Sequence, residues 1–569
     1  MKYCEISKLS ASGRAGKWWG DLEKKKGQKW QTMKHNGVLF PPAYEPLPSS
    51  VKILHKGKPL KLDAKNTNNV FNVTAEEGAV FFAMKMEQDD RLSAKNPKRH
   101  KSVDDKKFTE NFWKDWKVIL GKDSPIKSLS EVDFKPIQKY IATRSEEKKS
   151  NRKTLTKEEK AEEKKEKERL KDLYGYAIVD GVKIALGSYV IQPPGLYMGH
   201  GNHPLRGRIK KRTSPSDVTL NVSKDSVPKC KNHGKDCTWG NIVENKDVTW
   251  IASWRHPITD EVNYVWLKRE ESHWVCADDM VKFDKARNLA KNIDKVRSGY
   301  TKNLTSSSSR KRQLATAVYL LDKLAIRPGM DKDESKESDT LGLTTLKCEN
   351  VKFGSDSQIT VDFTGKSSIR FVKTFKVEPE VYSNLKNSCK KPSSQLFPDV
   401  DANTLNEYLK GFLPDLTAKV FRTYKASSIL EKELNSEIPD VDVPTHEKKI
   451  VYDRVAIEVA KALNHKKMGG SDERVQKLKE KLVELKAKKK DAKTDKQKAS
   501  VDKSILLAQA KLEEAEENIA TSTSKVNYLD PRITVAWAKK AQLPIEKLYN
   551  KTQLQKFIWA MDSPSDWKF

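Results

Sequence analysis

The spacing of apolar and polar positions changes several times along the chain, and each change marks an element. Residues 74–86 read as a helix, with Thr74 at the N-cap and Glu77 at the capping-box position three residues on. Phe108, Phe112, Trp113, Trp116 and Ile119 recur at helical spacing and predict a second amphipathic helix. Residues 154–173 are dominated by Lys and Glu. Thr156 and Glu159 form another capping box, and opposite charges recur four apart, which predicts an exposed helix. From Tyr174 the period shortens. Tyr176, Ile178 and Val179 precede the turn pair Asp180-Gly181, and Trp239, Trp250, Trp254, Tyr264 and Trp266 mark half-buried strands up to about residue 270.

Residues 282–324 are helical again, with the serines 306–309 separating two helices and Leu314, Val318, Leu321 and Leu324 lining one face of the second. Residues 346–363 return to strands, end in a tight turn at Gly365-Lys366, and continue in a strand over 369–372. Helices follow from Glu378 to His465, and Gly469-Gly470 marks a boundary. Beyond it, Val475, Leu478, Leu482 and Leu485 repeat at three- and four-residue steps among charges, while 486–498 offer only alanines as apolar residues. A second arm covers about 501–519, so the region fits an antiparallel helical hairpin, with a flexible linker as the alternative. Near the C-terminal end a single tyrosine, Tyr528, precedes Asp530-Pro531. Pro531 suits the first turn of a helix begun by Ile533, Ala536, Trp537 and Lys540.

Charge alters this picture more than length does. The 569 residues suffice for three or four domains, but 109 Lys+Arg against 78 Asp+Glu leave a formal net charge of +31. Such an excess points to a phosphate backbone as partner. No run of about eighteen apolar residues exists, so no membrane span is expected, and no signal peptide is visible. Cys4, Cys230, Cys237, Cys276, Cys348 and Cys389 are scattered, which predicts free thiols in a reducing compartment rather than a disulfide framework. Cys230, His233 and Cys237 lie close together, but a zinc site there lacks an evident fourth ligand. A glycine-rich basic loop, Met198-Gly199-His200-Gly201-Asn202-His203-Pro204 followed by Arg206, Arg208, Lys210, Lys211 and Arg212, has no Gly-Lys-Ser/Thr ending and is not a nucleotide loop. It reads as a phosphate-approaching surface or as an ordinary basic hairpin.

Candidate chemical residues sit at turns and helix ends: Arg327 beside Pro328-Gly329, Lys366 in its turn, Arg422 within 416–424, and His465 at a helix end. Singly, each has an ordinary explanation as a surface ion pair, a turn residue or a helix cap. Together with Tyr528 they accompany ordered motifs, Pro42-Ala43-Tyr44-Glu45-Pro46-Leu47-Pro48, Pro193-Pro194-Gly195-Leu196, Gly201-Asn202-His203-Pro204, Asp322-Lys323-Leu324-Ala325-Ile326-Arg327, 416–424 and 524–537, the last three of which hold Arg327, Arg422 and Tyr528. The chain resembles the eukaryotic type IB DNA topoisomerases over nearly its whole length, from Trp18-Trp19 to Phe569.

That resemblance implies a multidomain α+β fold: a mixed α/β N-terminal cap, a mainly helical catalytic domain of the tyrosine recombinase/type IB topoisomerase kind, an antiparallel helical-hairpin linker and a small helical C-terminal domain. The expected boundaries are 1–155 and 156–270 for the two cap portions, 271–467 for the catalytic core, 468–519 for the linker and 520–569 for the C-terminal domain. By the same resemblance, Tyr528 is the nucleophile, Arg327, Arg422 and His465 stabilise the transition state, and Lys366 donates a proton to the leaving 5′ oxygen. Expected DNA contacts are His200, Asn202, His203, Arg206, Lys210, Lys211, Arg212, Lys419 and Asn527. The reaction implied is ATP-independent relaxation of supercoils in double-stranded DNA through a 3′-phosphotyrosine. It needs no cofactor or metal, and the enzyme acts as a monomer in the nucleus, where chromatin, replication or transcription partners are expected. Three positions depart from the family pattern: His200 and Met198 stand where arginine is usual, and Ser367 where aspartate usually follows the lysine. These departures predict weakened sensitivity to camptothecin-type poisons. The competing readings are a site-specific tyrosine recombinase and a non-enzymatic basic nucleic-acid-binding protein.

Overall fold

The computed structural model describes residues 28–569 apart from 97–99, 233–234, 269–272, 330–339, 437, 468–470 and 492–493. The described residues fall into two compact units, 28–268 and 273–569.

In the first unit, Tyr176–Val179 pairs antiparallel with both Met33–His35 and Val182–Ala185. The hairpin turn falls on Asp180-Gly181, both at positive φ (49° and 79°), as the twist of a two-residue hairpin requires. A second sheet orders Asn241–Val243, Thr219–Asn221, Trp250–Arg255 and Val262–Trp266, with its first pair parallel. Helices Ala75–Lys95 and Lys106–Leu120 pack through an aromatic core, where the rings of Phe82 and Phe112 lie 4.5 Å apart and those of Phe112 and Trp116 5.5 Å apart. Thr74 caps the first helix by accepting from the Glu77 N–H at 3.0 Å. The other half of the predicted box does not form. The Glu77 carboxylate is instead taken by Arg212 at 2.6 Å, a charge-assisted bond stronger than one to a neutral backbone N–H. The box at Thr156 and Glu159 forms in both halves and opens helix Lys157–Tyr174.

One expectation is corrected in this unit. Cys230 and Cys237 form a disulfide rather than standing as free thiols. The short strands Lys231–Asn232 and Lys235–Asp236 pair antiparallel and bring the two Cα atoms to 5.1 Å, within the range a disulfide spans. Both sulfurs are thereby consumed, which removes them as zinc ligands, and the described residues hold no metal-ligating group of three or more. His233 lies outside the described residues, as do Cys4 and the boundary Gly469-Gly470. Cys348 and Cys389 are free.

The second unit is mainly helical. Helices His273–Asn303 and Ser309–Leu324, the latter capped by Ser308, pack with Pro379–Ser388, Ala402–Lys410 and Ala418–Ser436. The core they share holds Val318, Leu321, Phe397 and Phe421, all buried. An antiparallel sheet of Val351–Phe353, Gln358–Gly365 and Ile369–Lys376 carries the predicted turn at Lys366. Two long charged helices follow Thr445–Ala462. Ser471–Asp491 and Asp495–Glu516 run antiparallel, as shown by ion pairs at both ends of the hairpin, Lys489–Asp502 at 2.5 Å and Lys479–Glu516 at 3.0 Å. The second arm begins earlier than its apolar positions predict, because Thr494 and Gln497 form a capping box ahead of them. Helices Thr521–Asn527 and Pro531–Lys540 bracket Tyr528. Leu529, Ile533 and Trp537 pack against Leu430, Leu434, Val455 and Val459, which anchors the tyrosine segment to the helices Ala418–Ser436 and Thr445–Ala462. Among the described residues, no helix is long and apolar enough to cross a membrane.

Candidate active site

Four of the five predicted residues converge in the second unit. Helix Ser309–Leu324 ends at Ala325, which adopts a left-handed φ of 50° and turns the chain toward Arg327. Arg422, on helix Ala418–Ser436 and only 4% exposed, donates through Nη1 to the Ala325 carbonyl. Its Nη2 reaches the Leu463 carbonyl at 3.3 Å and His465 Nε2 at 3.2 Å. One guanidinium therefore ties together the loop that leads to Arg327 and the helix end that leads to His465. Its Nε is buried and has no hydrogen-bond partner among the described residues. A charged donor left in that state is costly unless a ligand takes it up.

Tyr528 caps helix Thr521–Asn527, with its N–H bonded to the Ser524 carbonyl at 2.9 Å. The Asp530 carboxylate accepts from the Arg532 N–H at 2.9 Å and starts the next helix at Pro531. Asp530 is fully buried and is held by the Arg532 guanidinium, which also reaches Asp284 at 2.7 Å. Ser427, five residues along the Arg422 helix at 0% exposure, donates to the Tyr528 carbonyl and accepts from the Asp530 N–H, both at 3.1 Å. The tyrosine is thus pinned by its backbone while its side chain stays half-buried. Its ring lies 5.1 Å from the Arg422 guanidinium and 5.2 Å from the His465 ring.

The charges shift both titratable groups. Burial pushes the Tyr528 phenol up, but Arg422 and Arg327 outweigh it, so its pKa falls below the ordinary value of 10.0. An anionic phenolate is the nucleophilic form, and two cations beside it favour that form. His465 is driven down to about 3, first by burial and then by Arg422 and Arg327, so it is neutral near pH 7. Its tautomer follows from its partners. A guanidinium only donates, so Nε2 accepts from Arg422, and the ring proton sits on Nδ1 and is donated to Ser524 Oγ at 2.7 Å.

Lys366 stands apart from this cluster in its contacts. It is exposed at the turn between Gln358–Gly365 and Ile369–Lys376, next to Ser367 at a left-handed φ of 64°. Hydrogen bonds connect its hairpin to the other site loops. Leu341 N–H donates to Thr364 O at 2.8 Å, Leu343 N–H donates to Arg327 O at 2.8 Å, and Asn464 reaches Arg370 O at 3.2 Å.

The predicted DNA contacts divide by their surroundings. Lys419 and Asn527 are exposed in the second unit, with Asn527 donating to Thr523 O at 3.1 Å. In the first unit His200 and Asn202 are exposed, whereas His203 is 6% exposed, lies 3.3 Å from the Tyr197 hydroxyl and accepts from the Leu205 N–H. Arg206 folds back onto Gly201 O at 3.0 Å, Lys211 pairs with Asp217 at 2.8 Å, and Arg212 bonds Pro42 O and Glu77. Burial lowers the pKa of Lys210. His203, Arg206, Lys211 and Arg212 therefore shape the loop itself, a role that side-chain type alone does not reveal. Sequence reasoning also missed Ser427, Ser524 and the Asp530–Arg532–Asp284 chain. The only sequence signal for the last was the turn-prone Asp530-Pro531 pair.

A tyrosine beside a buried arginine and a neutral histidine is an arrangement suited to meeting an anionic oxygen. Comparison with known proteins identifies the family. Residues 28–267 match the DNA-binding fragment of eukaryotic DNA topoisomerase I, 271–498 its catalytic core, and 479–569 the C-terminal topoisomerase domain. The chain is 39% identical over its whole length to DNA topoisomerase 1 alpha of Arabidopsis thaliana, spanning 62% of that protein. Over 97% of its length it is 36% identical to DNA topoisomerase 1 of Mus musculus and of Homo sapiens, covering 73% of each. The chain belongs to the eukaryotic DNA topoisomerase I family.

Proposed function

We propose that this chain relaxes supercoiled double-stranded DNA, of either sign, by a transient single-strand break, acting as a nuclear type IB topoisomerase. The observation that carries the reading is Tyr528 held against Arg422, whose buried Nε lacks a partner among the described residues. The Tyr528 oxygen attacks a backbone phosphorus, its proton passing to solvent or a neighbouring base. A phosphorus–tyrosine bond forms at the 3′ side while the bond to the 5′ oxygen breaks, and Lys366 supplies the proton to that leaving oxygen. Arg327 and Arg422 meet the charge developing on the non-bridging oxygens. His465 joins them once its Nε2 carries the proton. The Ser524 hydroxyl permits this exchange, because it can accept from Nδ1 or donate to it.

The phosphodiester energy stays in the phosphotyrosine, so the 5′ hydroxyl religates the strand without ATP. Two arginines supply the positive charge that a metal would otherwise supply, so no divalent cation is required. In this reading, 28–268 is a DNA-binding cap and 273–467 the catalytic core, while the hairpin Ser471–Glu516 slows rotation of the duplex downstream of the break. Monomeric action and association with chromatin, replication or transcription proteins belong to the same proposal. The test is relaxation of a supercoiled plasmid in EDTA without ATP. The chain is expected to yield ladders of relaxed topoisomers and Tyr528→Phe none. An inactive parent chain, or an active Tyr528→Phe variant, would defeat the proposal.

A further inference from the structure

Behind the tyrosine-bearing helix lies a cavity of about 780 Å³ that the reaction above does not use. Four separate elements meet around it: helix Thr445–Ala462, the second hairpin arm Asp495–Glu516, helix Thr521–Asn527 and the turn Ile545–Lys547. Five lysines line it, Lys449, Lys503, Lys511, Lys525 and Lys547, against two carboxylates, Asp453 and Glu514. Those carboxylates are already committed. Asp453 is bonded to both Lys449 and Lys525, and Glu514 to Lys467 at 2.8 Å. Lys503, Lys511 and Lys547 are exposed and have no ion-pair partner among the described residues. Convergent ammonium groups at the mouth of a concave space repel one another unless an anion neutralises them.

We propose that this cavity binds a small anion of high phosphate density, such as a polyphosphate or an inositol polyphosphate. The apolar floor of Ile450, Ile457 and Leu507 reduces competition from water, while ammonium groups from separate elements can each meet a different phosphate. A single phosphate would engage only part of this set. Binding would also cross-link the hairpin arm to the helix ending at Tyr528, since Lys525 follows Ser524, the partner of His465. That last consequence rests on the topoisomerase reading. The binding itself does not.

The experiment is calorimetric titration of the full chain, without DNA, at near-physiological salt. Its two arms use inorganic tripolyphosphate and inositol hexakisphosphate, which separate a linear from a ring-borne source. One equivalent is expected to bind at micromolar concentration in at least one arm. Lys503→Ala/Lys511→Ala is expected to weaken it tenfold or more, and Lys547→Ala, from a different element, severalfold. The control Lys481→Ala/Lys488→Ala removes the same charge from the first arm outside the cavity and is expected to leave affinity within twofold. Equal weakening by the control, several equivalents bound, or no binding in either arm would overturn the proposal. Circular dichroism of each variant separates loss of the site from loss of the fold. Because no DNA is present, failure here leaves plasmid relaxation untouched, and failure of relaxation leaves this binding intact.

Discussion

Ser427→Ala removes one oxygen from the interior and tests whether the backbone clamp positions Tyr528. The hydroxyl donates to Tyr528 O and accepts from Asp530 N–H, each at 3.1 Å, at a residue with 0% exposure. Truncation leaves a carbonyl and an N–H without partners where water has no access. Each costs about 1–3 kcal/mol. The methyl of alanine refills little of the space, so roughly 2–6 kcal/mol falls on this junction. The segment can recover part of it by moving Tyr528 out of register. If about 2 kcal/mol is expressed as lost alignment, cleavage slows roughly 30-fold. The assay is single-turnover formation of the covalent complex on an oligonucleotide whose short cleaved end diffuses away, resolved on denaturing gels. Ser427→Thr retains the oxygen and is expected to recover most of the rate. Cleavage by Ser427→Ala within twofold of the parent chain, with unchanged melting, would refute the reasoning.

The remaining predictions use other features of the two units. His465, held near 3 when folded against 6.5 unfolded, takes up a proton more readily in the unfolded chain. Its contribution to stability is therefore complete above about pH 6.5 and is lost as pH falls toward 3. His465→Gln is expected to flatten that part of an acid-unfolding curve followed in the second unit. Arg212→Ala is expected to destabilise the first unit by at least about 2 kcal/mol, because it strands the buried Glu77 carboxylate, although 16% of the arginine side chain is still exposed. Lys419→Ala is expected to leave melting unchanged while lowering DNA affinity, with the salt-dependence slope reduced by about 0.9 if one phosphate contact is lost. Deleting 470–519 and bridging the gap is expected to change relaxation processivity more than the single-turnover cleavage rate. Identical relaxation kinetics across salt concentrations would count against a rotational role for the hairpin.

Local pattern carried the elements well where the physics is local. The helix 106–120 follows from its aromatic spacing, and Pro531 at the first turn of a helix follows from its fixed φ. The charged hairpin was legible as two arms, but its second start was not, because Thr494 and Gln497 cap it without any apolar residue. Long-range pairing had no such signature. Glu77 sat in a capping-box position, yet Arg212, 135 residues later, claims it. Basic residues in and after the glycine-rich loop read alike in sequence, while the fold sends Arg212 inward and leaves His200 exposed. Cysteines scattered along the chain predict free thiols at Cys230 and Cys237, and a two-residue strand pairing overrides that. At the site, Arg422 and Tyr528 stood out only through ordered family motifs. Ser427 and Ser524 are common residue types whose importance comes from burial and from partners 101 and 59 residues away.

The central claim is that Tyr528 forms the covalent bond to DNA. Its most direct measurement is mass spectrometry of peptides from the trapped complex, after nuclease trimming of an end-labelled oligonucleotide. The account predicts one adduct, on the peptide containing Tyr528, attached through a 3′ phosphate and leaving a 5′ hydroxyl. An adduct on another residue, attachment through a 5′ phosphate, or relaxation without any covalent peptide would contradict it.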